Sequence, residues 1–592
     1  MMRHTLGVML AVGLAPVAQA QTAVRPYVVR NVTVIQPSAA EPSRLADVVI
    51  AERTIRQVTP PGAAIAPPDA VVIDGRGKYL IPGLTDAHVH IKQGDPLFLF
   101  LTAGVTTVQN MAGQPFHLAM REQVNRGALL GPRIVTTGPT TAQVGVTTPE
   151  EVATLVKEQQ AIGYNAIKMY GSRGGDMTPE AYHTLNEVAR SRGMRVVGHA
   201  PRNLPFQVVL DERQSSIDHM EEIVYTHRPF ARLLQPYVDL QFGRASAQLR
   251  DSLARARVPD FANELKPEIT ELARAVKRAG LAVTPNIVFF RNIYWMTTDS
   301  IDVLLRAPEL AYAAPGQRLN WSPLLNNYAN SWRDARSIIS PYLGAVVDLE
   351  KAITLAFHQA GVPLMTGTDA EFLGAQPGFG VHTELEIFVA LGMTPLEALR
   401  AATSTPAQVM QIADSVGSIQ AGHIADLVLL DADPLTDIRH TRRISGVFRS
   451  GQWLPRSDLD ARLDSLARSY APVEAALGSF MQALETGGAA AALGVYRSSA
   501  ERETIAKPVE RSINAYGYRV LREKRVKEAI EIFRANAEAF PNEYNTWDSL
   551  AEAYMEDGQN DLAVRYYRKV LELRPGDENA TRMLKQLGVA QH

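Results

Sequence analysis

The chain reads as an α/β protein with a (β/α)8 TIM barrel at its centre, a small β-sandwich module drawn from both flanks, and an all-α C-terminal region. Three observations predict this. Between residues 81 and 416, eight strand-like runs alternate with helix-patterned segments, as repeated strand–helix units do. Short β-branched runs bounded by glycine, proline and aspartate stand on both sides of that stretch. Past residue 505, a helical pattern repeats at a fixed period.

In chain order, the first predicted element is a signal peptide over residues 1–20. Arg3 precedes an apolar stretch, and Ala18, Gln19 and Ala20 form the small-residue pattern cut by a signal peptidase. The apolar run is shorter than the about 20 residues needed to span a bilayer. The protein is therefore expected to be periplasmic or secreted, with no membrane span. No cysteine occurs in the 592 residues, which excludes a lipoprotein anchor, disulfides and thiolate catalysis. Lysine and arginine number 60 against 62 acidic residues, and the formal charge of -2 gives no electrostatic reason to expect nucleic acid or an anionic membrane as partner. A small-molecule substrate fits better.

The β module is predicted over 21–80 and 417–455, from runs such as "YVVRNVTVI", "ADVVIAERTIRQV" and "ISGVFRSGQWL". The barrel, 81–416, takes its strands from "LIPGLTDAHVH", "TTVQNM", "PRIVTTG", "NAIKMY", "RVVGHA", "SIDHME", "LAVTPNI" and "PLMTGTDA". Two of its helices open on Thr-Pro and end at glycine, a cap followed by a proline in the first turn. Residues 225–280 and 291–350 are too long for ordinary connections and are expected as insertions around the substrate pocket. A helical linker, 456–504, leads to 505–592. There Ala529 aligns with Ala563, Phe533 with Tyr567 and Pro541 with Pro575, each pair 34 residues apart. That period, with its small and aromatic interlocking positions, resembles tetratricopeptide repeats and implies a surface for a protein partner or for self-association.

The chemistry is concentrated at strand ends. His88 and His90 stand two apart on a strand, so their imidazoles face the same way and can share an ion. His199 ends "RVVGHA", His219 follows "SID", and Asp369 ends "PLMTGTDA". All fall where strand gives way to loop, which in a barrel is one rim. Tyr170 and Arg202 are candidate substrate contacts at the same rim, Arg202 for a substrate carboxylate. Lys168, after "NAI", is on spacing alone only an isolated basic residue.

Taken in order, "GLTDAHVH", "AIKMY", "VVGHAP", "SIDHMEE", "TGTDA" and "GSIQAGHIADLVLLDADP" resemble the metal-dependent amidohydrolase superfamily, in its imidazolonepropionase-like and prolidase-like branch, over roughly residues 26–455. The resemblance implies two divalent metal ions, usually zinc, bridged by Lys168 carboxylated by carbon dioxide. His88, His90 and Asp369 would hold one ion, His199 and His219 the other. Asp369 would also move the proton while water activated by the metals attacks an amide or peptide carbonyl. Related sequences further suggest His382 near the pocket. The chain departs from prolidase-like members at "IKMYGSRGG" and "IDHMEEIVY", so the resemblance implies the metal core rather than peptide specificity. Three alternatives stand beside the amidohydrolase reading. An esterase or lactonase would use the same ligands. A mononuclear deaminase of the superfamily would not need Lys168. An interaction scaffold would act through the repeat-like tail.

Overall fold

The computed structural model describes residues 25–170, 177–241, 243–322, 325–326, 332, 335–370 and 374–589. The predicted signal peptide and the "GSRGG" stretch after Tyr170 lie outside the described residues.

The two flanks meet in one eight-stranded sheet. Its N-terminal strands are β1 (Tyr27–Ile35), β2 (Ser43–Ala51), β3 (Thr54–Thr59), β4 (Val71–Asp74) and β5 (Tyr79–Pro82). The C-terminal flank adds β13 (Leu427–Leu430), β14 (Ile444–Arg449) and β15 (Gln452–Pro455), with β13 laid antiparallel on β5. The expected sandwich is thus a single forked sheet. One edge of β1 pairs with β4 over Tyr27–Arg30 and with β5 from Thr33. Asn31, at φ 55, turns the strand between the two partners. Asparagine tolerates that left-handed conformation better than the β-branched residues around it.

Gly83 links the sheet to the parallel strands that follow it. A Cβ there would stand 2.0 Å from Thr106 Oγ1, so only glycine lets the chain pass flush against the neighbouring strand. Next come β6 (Leu84–Val89), β7 (Val105–Asn110) and β8 (Arg133–Thr136), paired in parallel. Two further parallel pairs follow: β9 (Ala166–Met169) with β10 (Arg195–Gly198), and β11 (Ser216–Asp218) with β12 (Ala282–Thr284). Parallel bridges join Thr137 to Ala166, Val283 to Leu364 and Val89 to Ala370. Between β10 and β11, the Ser215 N–H donates to the Val196 carbonyl at 2.9 Å. The eighth predicted run, "PLMTGTDA", enters through the bridges at Leu364 and Ala370 rather than as a ladder. β6, β7 and β9 are buried along their whole length, which is why they read as apolar or mixed runs without alternation.

The helices between strands begin as their sequence predicts. Thr148 caps Pro149–Ile162, accepting from the Glu151 N–H while the Glu151 side chain returns to the Thr148 backbone, and Gly163 closes the helix at φ 101. The insertions are helical: Arg228–Gln241, Ala247–Arg255 and Lys266–Ala279 in the first, Ile287–Met296 and Pro315–Asn320 in and next to the second. No helix among the described residues is long and apolar enough to cross a membrane.

The C-terminal region is all helix. Arg456–Ser498, broken at Gly488 with φ 70, is followed by Arg502–Arg522, Val526–Ala539, Tyr544–Glu556, Asn560–Leu573 and Glu578–Gln586. Leu319 and Leu325 of the second insertion share its buried cluster with Leu477, Phe480, Ile505 and Val509.

Candidate metal centre

Alternation along β6 and just past it sets Asp86, His88 and His90 toward one side. His88 is fully buried, whereas the His90 side chain is 43% exposed at the rim. His88 Nε2 lies 3.3 Å from His90 Nε2 and 3.5 Å from Asp369 Oδ1, and His90 Nε2 lies 3.2 Å from the same oxygen. Asp369 reaches this point because its backbone takes φ 53, while its N–H donates to the His88 carbonyl at 2.9 Å. A non-glycine residue held there costs on the order of 1–2 kcal/mol, a strain that recurs at functional sites.

This triangle fits a divalent ion. Around a tetrahedral centre with metal–ligand bonds of about 2.0–2.1 Å, ligand atoms stand about 3.3 Å apart. The three atoms match that spacing, and two imidazole nitrogens facing each other at 3.3 Å otherwise have at most one proton to share. Behind the triangle, Asp218 Oδ2 sits 3.2 Å from His88 Nδ1, near enough to pair though off the line of a hydrogen bond. A carboxylate on the far nitrogen of a ligating histidine fixes its tautomer and leaves Nε2 as the donor.

Lys168 joins the same group from β9. It is 1% exposed, and its Nζ lies 3.3 Å from Asp218 Oδ2. The structure brings the remaining two histidines alongside: the His219 ring stands 4.5 Å from that of His88 and 5.0 Å from that of His199, centroid to centroid. His199 Nδ1 is held by Glu222 Oε1 at 2.8 Å, which leaves Nε2 free to bind. His219 takes φ 68, and its Nδ1 is buried with no hydrogen-bond partner among the described residues. An orphaned buried nitrogen beside another histidine suits a second ion, since a missing ligand is one of the few explanations for such a group.

The electrostatics favour the binding form of each ligand. Burial lowers the His88 pKa to about 4 and holds His219 well below the usual histidine range, so both are neutral with lone pairs available at pH 7. Burial alone would raise the Asp369 and Asp218 carboxyls. The His90 hydrogen bond and the His88 charge outweigh it at Asp369, as Lys168 and His88 do at Asp218, and both stay below the ordinary carboxylate value. Burial also lowers the Lys168 ammonium despite Asp218.

The substrate-side candidates divide. Tyr170 is partly exposed, with its ring 4.6 Å from that of His199, at the mouth. Arg202 is committed to Glu222, with Nε 3.1 and 3.2 Å from the two carboxylate oxygens and Nη2 closer still, and so braces the residue that orients His199. His382 is not brought to the cluster: it is buried between the Thr441 hydroxyl at 2.9 Å and the Ala103 carbonyl at 3.0 Å, the latter just ahead of β7. Three participants escaped the sequence reading. Asp86 fixes the two ligand segments to each other through Thr368, accepting from its N–H at 3.1 Å and its hydroxyl at 2.6 Å. Asp218 and Glu222 back the histidines. The signals were present: Asp86 shares the period of His88, Asp218 adjoins His219, and Glu222 follows it by three.

Comparison with known proteins gives the family. The amidohydrolase family profile matches residues 99–454. The ochratoxinase of Aspergillus niger is 24% identical over 455 residues, 70% of this chain and 84% of that enzyme. The imidazolonepropionase of Rubrobacter xylanophilus is 22% identical over 429 residues, 69% of this chain and 91% of that enzyme. Among solved structures, the bottromycin amidohydrolase superimposes with a TM-score of 0.58 at 24% identity, over 76% of this chain and 92% of that one. Molinate hydrolase does so with a TM-score of 0.51 at 18% identity, over 74% and 96%. With the family profile covering more than half its length, and histidines and a carboxylate converging at its strand ends, the chain belongs to the amidohydrolase family, as a metal-dependent hydrolase acting on carbon–nitrogen bonds.

Proposed function

We propose that the protein is an exported binuclear amidohydrolase that cleaves the amide bond of a small molecule. The observation that carries this is the triangle of His88, His90 and Asp369 with Lys168, His199 and His219 packed around it. His88, His90 and Asp369 would hold one ion and His199 and His219 the other, with zinc suited to imidazole donors in this geometry. Lys168, carboxylated by carbon dioxide, would bridge them. Its burial supports that reading, because a lowered pKa raises the share of free amine, the form that adds to carbon dioxide, and an anionic carbamate is a ligand where an ammonium is not. When bound, the ions supply a Lewis acid and lower the pKa of water from 15.7 to about 7.

The chain's own residues do the rest. Asp218, with its charge beside His88 Nδ1, favours the tautomer that ligates through Nε2, and Glu222, braced by Arg202, orients His199 through a hydrogen bond. Asp369, a carboxylate at neutral pH, accepts a proton from the attacking water at a side-chain oxygen. As the C–N bond breaks, it returns that proton to the departing nitrogen. Tyr170 beside His199, and Phe289, whose ring stands 5.7 Å from that of His219, give the mouth two aromatic faces. These support a substrate with a flat or apolar group next to the scissile carbonyl. Membership of the amidohydrolase family supports an amide reading without committing to peptides.

The same proposal takes the strands as a closed eight-stave barrel, supported by the bridges at Ala166, Leu364 and Ala370. It takes residues 505–592 as a tetratricopeptide-like pair, supported by complete or near-complete burial of Ala529, Phe533, Ala563 and Tyr567 at matching positions. Residues 1–20 direct export to the periplasm or medium.

The test is a Lys168→Ala variant. Metal content should fall from two ions toward one or none, and kcat/KM by at least about 100-fold, since bridge loss removes activation rather than binding alone. Wild-type protein equilibrated with 13C-labelled carbon dioxide should show a carbamate resonance absent from the variant. Unchanged metal content and rate, or no such resonance in the metal-loaded wild type, would rule the bridge out.

A further inference from the structure

A cavity of about 670 Å3 opens where the flank sheet, the barrel and the helix Arg456–Ser498 meet. It lies beside Gly131, just ahead of β8, whereas the metal ligands follow the other ends of the strands. Four arginines line it, Arg53, Arg126, Arg449 and Arg462, against one acidic residue, Glu52, which is paired with Arg56.

The site is built rather than incidental. Two hairpin turns meet tip to tip, because Gly451, at φ 79, leaves no Cβ to collide with the Glu52 carbonyl that would stand 2.7 Å away. The contact fixes Arg53, whose Nη1 donates to the Asn125 carbonyl at 3.1 Å and whose Nη2 donates to Ser450 Oγ at 3.2 Å. Neither partner carries charge, so this guanidinium is oriented but not neutralised. Arg449 is nearly buried, with Nε donating to the Gly131 carbonyl at 2.9 Å and Nη1 to Asp426 Oδ1 at 3.0 Å. Asp426 must also serve Arg133, whose Nη2 is 3.5 Å from its other oxygen. One carboxylate therefore faces two guanidiniums. Arg126 has only an exposed contact with Glu122 at 3.4 Å, and Arg462 pairs with no carboxylate among the described residues. Burial, and repulsion from Arg133 and Arg53, press the Arg449 guanidinium below its ordinary pKa despite Asp426.

Preoriented guanidiniums with excess positive charge in a concave site match multiply charged oxyanions, which the planar guanidinium grips through paired N–H donors. A volume of this size accommodates a small metabolite. We propose that the cavity binds a small dianion, a phosphate ester or a dicarboxylate, gripped by Arg53, Arg449 and Arg462. Such a ligand ties the sheet, the barrel and the long helix together at the ends of the strands opposite the metal centre.

Inorganic phosphate and succinate, titrated separately into the full metal-loaded protein, probe the two sources. Each is compared with sodium chloride at equal ionic strength by calorimetry and thermal unfolding. The expected result is saturable binding of at least one anion, with a Tm rise that chloride does not give. An Arg53→Gln/Arg462→Gln double variant, changed only at exposed side chains, should bind that anion at least tenfold more weakly while keeping its hydrolytic rate. Tighter phosphate binding assigns a phosphate ester, and tighter succinate binding a dicarboxylate. Binding at the metal centre would be equal in both proteins, so equal affinity in wild type and variant overturns the proposal. A response no larger than that to chloride overturns it as well.

Discussion

At the scale of single residues, burial decides which histidines can serve which purpose. His382 and His88 are both buried and neutral, yet only one faces a cluster of ligands. The Ala103 carbonyl can only accept, so the His382 proton sits on Nε2, while Nδ1 lies 2.9 Å from the Thr441 hydroxyl. Burial, with Arg442 adding to it, takes its pKa down to about 3. The unfolded chain, with a histidine pKa near 6.5, therefore binds the proton first as pH falls. Stability from neutral His382 is fully present above about pH 6.5 and is lost as pH drops toward about 3, up to about 4–5 kcal/mol over the window. A His382→Gln variant carries no such group. Wild type should exceed it in stability at pH 7, and the gap should narrow by about 2 kcal/mol by pH 5, read from thermal or urea unfolding. KM should stay within about twofold, because the ring touches Thr441 and Ala103 and not the mouth. A pH-independent gap, or a raised KM with unchanged stability, would return His382 to the substrate.

At the scale of elements, the strand ends carry the site, and Gly198 shows how tightly. It closes β10 at φ 107, and a Cβ there would stand 2.5 Å from Lys168 Cδ and 2.6 Å from the Met169 carbonyl. Gly198→Ala is expected to strain the backbone by about 1–2 kcal/mol and to push Lys168 out of register with Asp218. Metal content should fall along with Tm. Gly280→Ala is the control: at φ 71 with nothing within 4 Å, it bears the strain alone and should cost about 1 kcal/mol without loss of metal. Gly198 was invisible as a site residue in the sequence, since a glycine before a histidine looks like any strand end. What was legible had a period. His88 and His90 repeat every second residue, Thr148 and Glu151 announce a helix, and Ala529 and Ala563 repeat at 34 residues. What was not legible depends on contacts between distant segments. Asp218 backs a candidate ligand only because β11 lies near both Lys168 and His88, and the flank strands could have formed two sheets had Asn31 not forked them.

For the whole molecule, the question is whether the helical tail is an appendage or part of the enzyme. Leu319 and Leu325 of the second insertion are buried among tail residues, Arg318 pairs with Glu474, and a Cβ on Gly316 would stand 2.6 Å from Pro508. The same stretch of chain begins at the helix Ile287–Met296, whose first N–H groups donate to Glu384 at 3.1 and 2.9 Å and whose Phe289 faces the His219 ring. Removing residues 505–592 would strip cover from Leu319, Leu325, Leu477, Phe480 and Leu484. At about 1.5–3 kcal/mol for each buried side chain, that is roughly 10 kcal/mol, comparable with the stability of a domain. The truncated chain is therefore expected to lose the order of the insertion. The six proposed ligands all sit on the parallel strands or at their ends and none on the insertion, so metal should be retained while KM rises at least about tenfold. Gly316→Val is the milder probe. It wedges the insertion away from Pro508 without baring the tail, and should raise KM in the same direction at unchanged metal content. If both variants keep wild-type kinetics, the insertion shapes the mouth without help from the tail, and the helical region serves a partner instead.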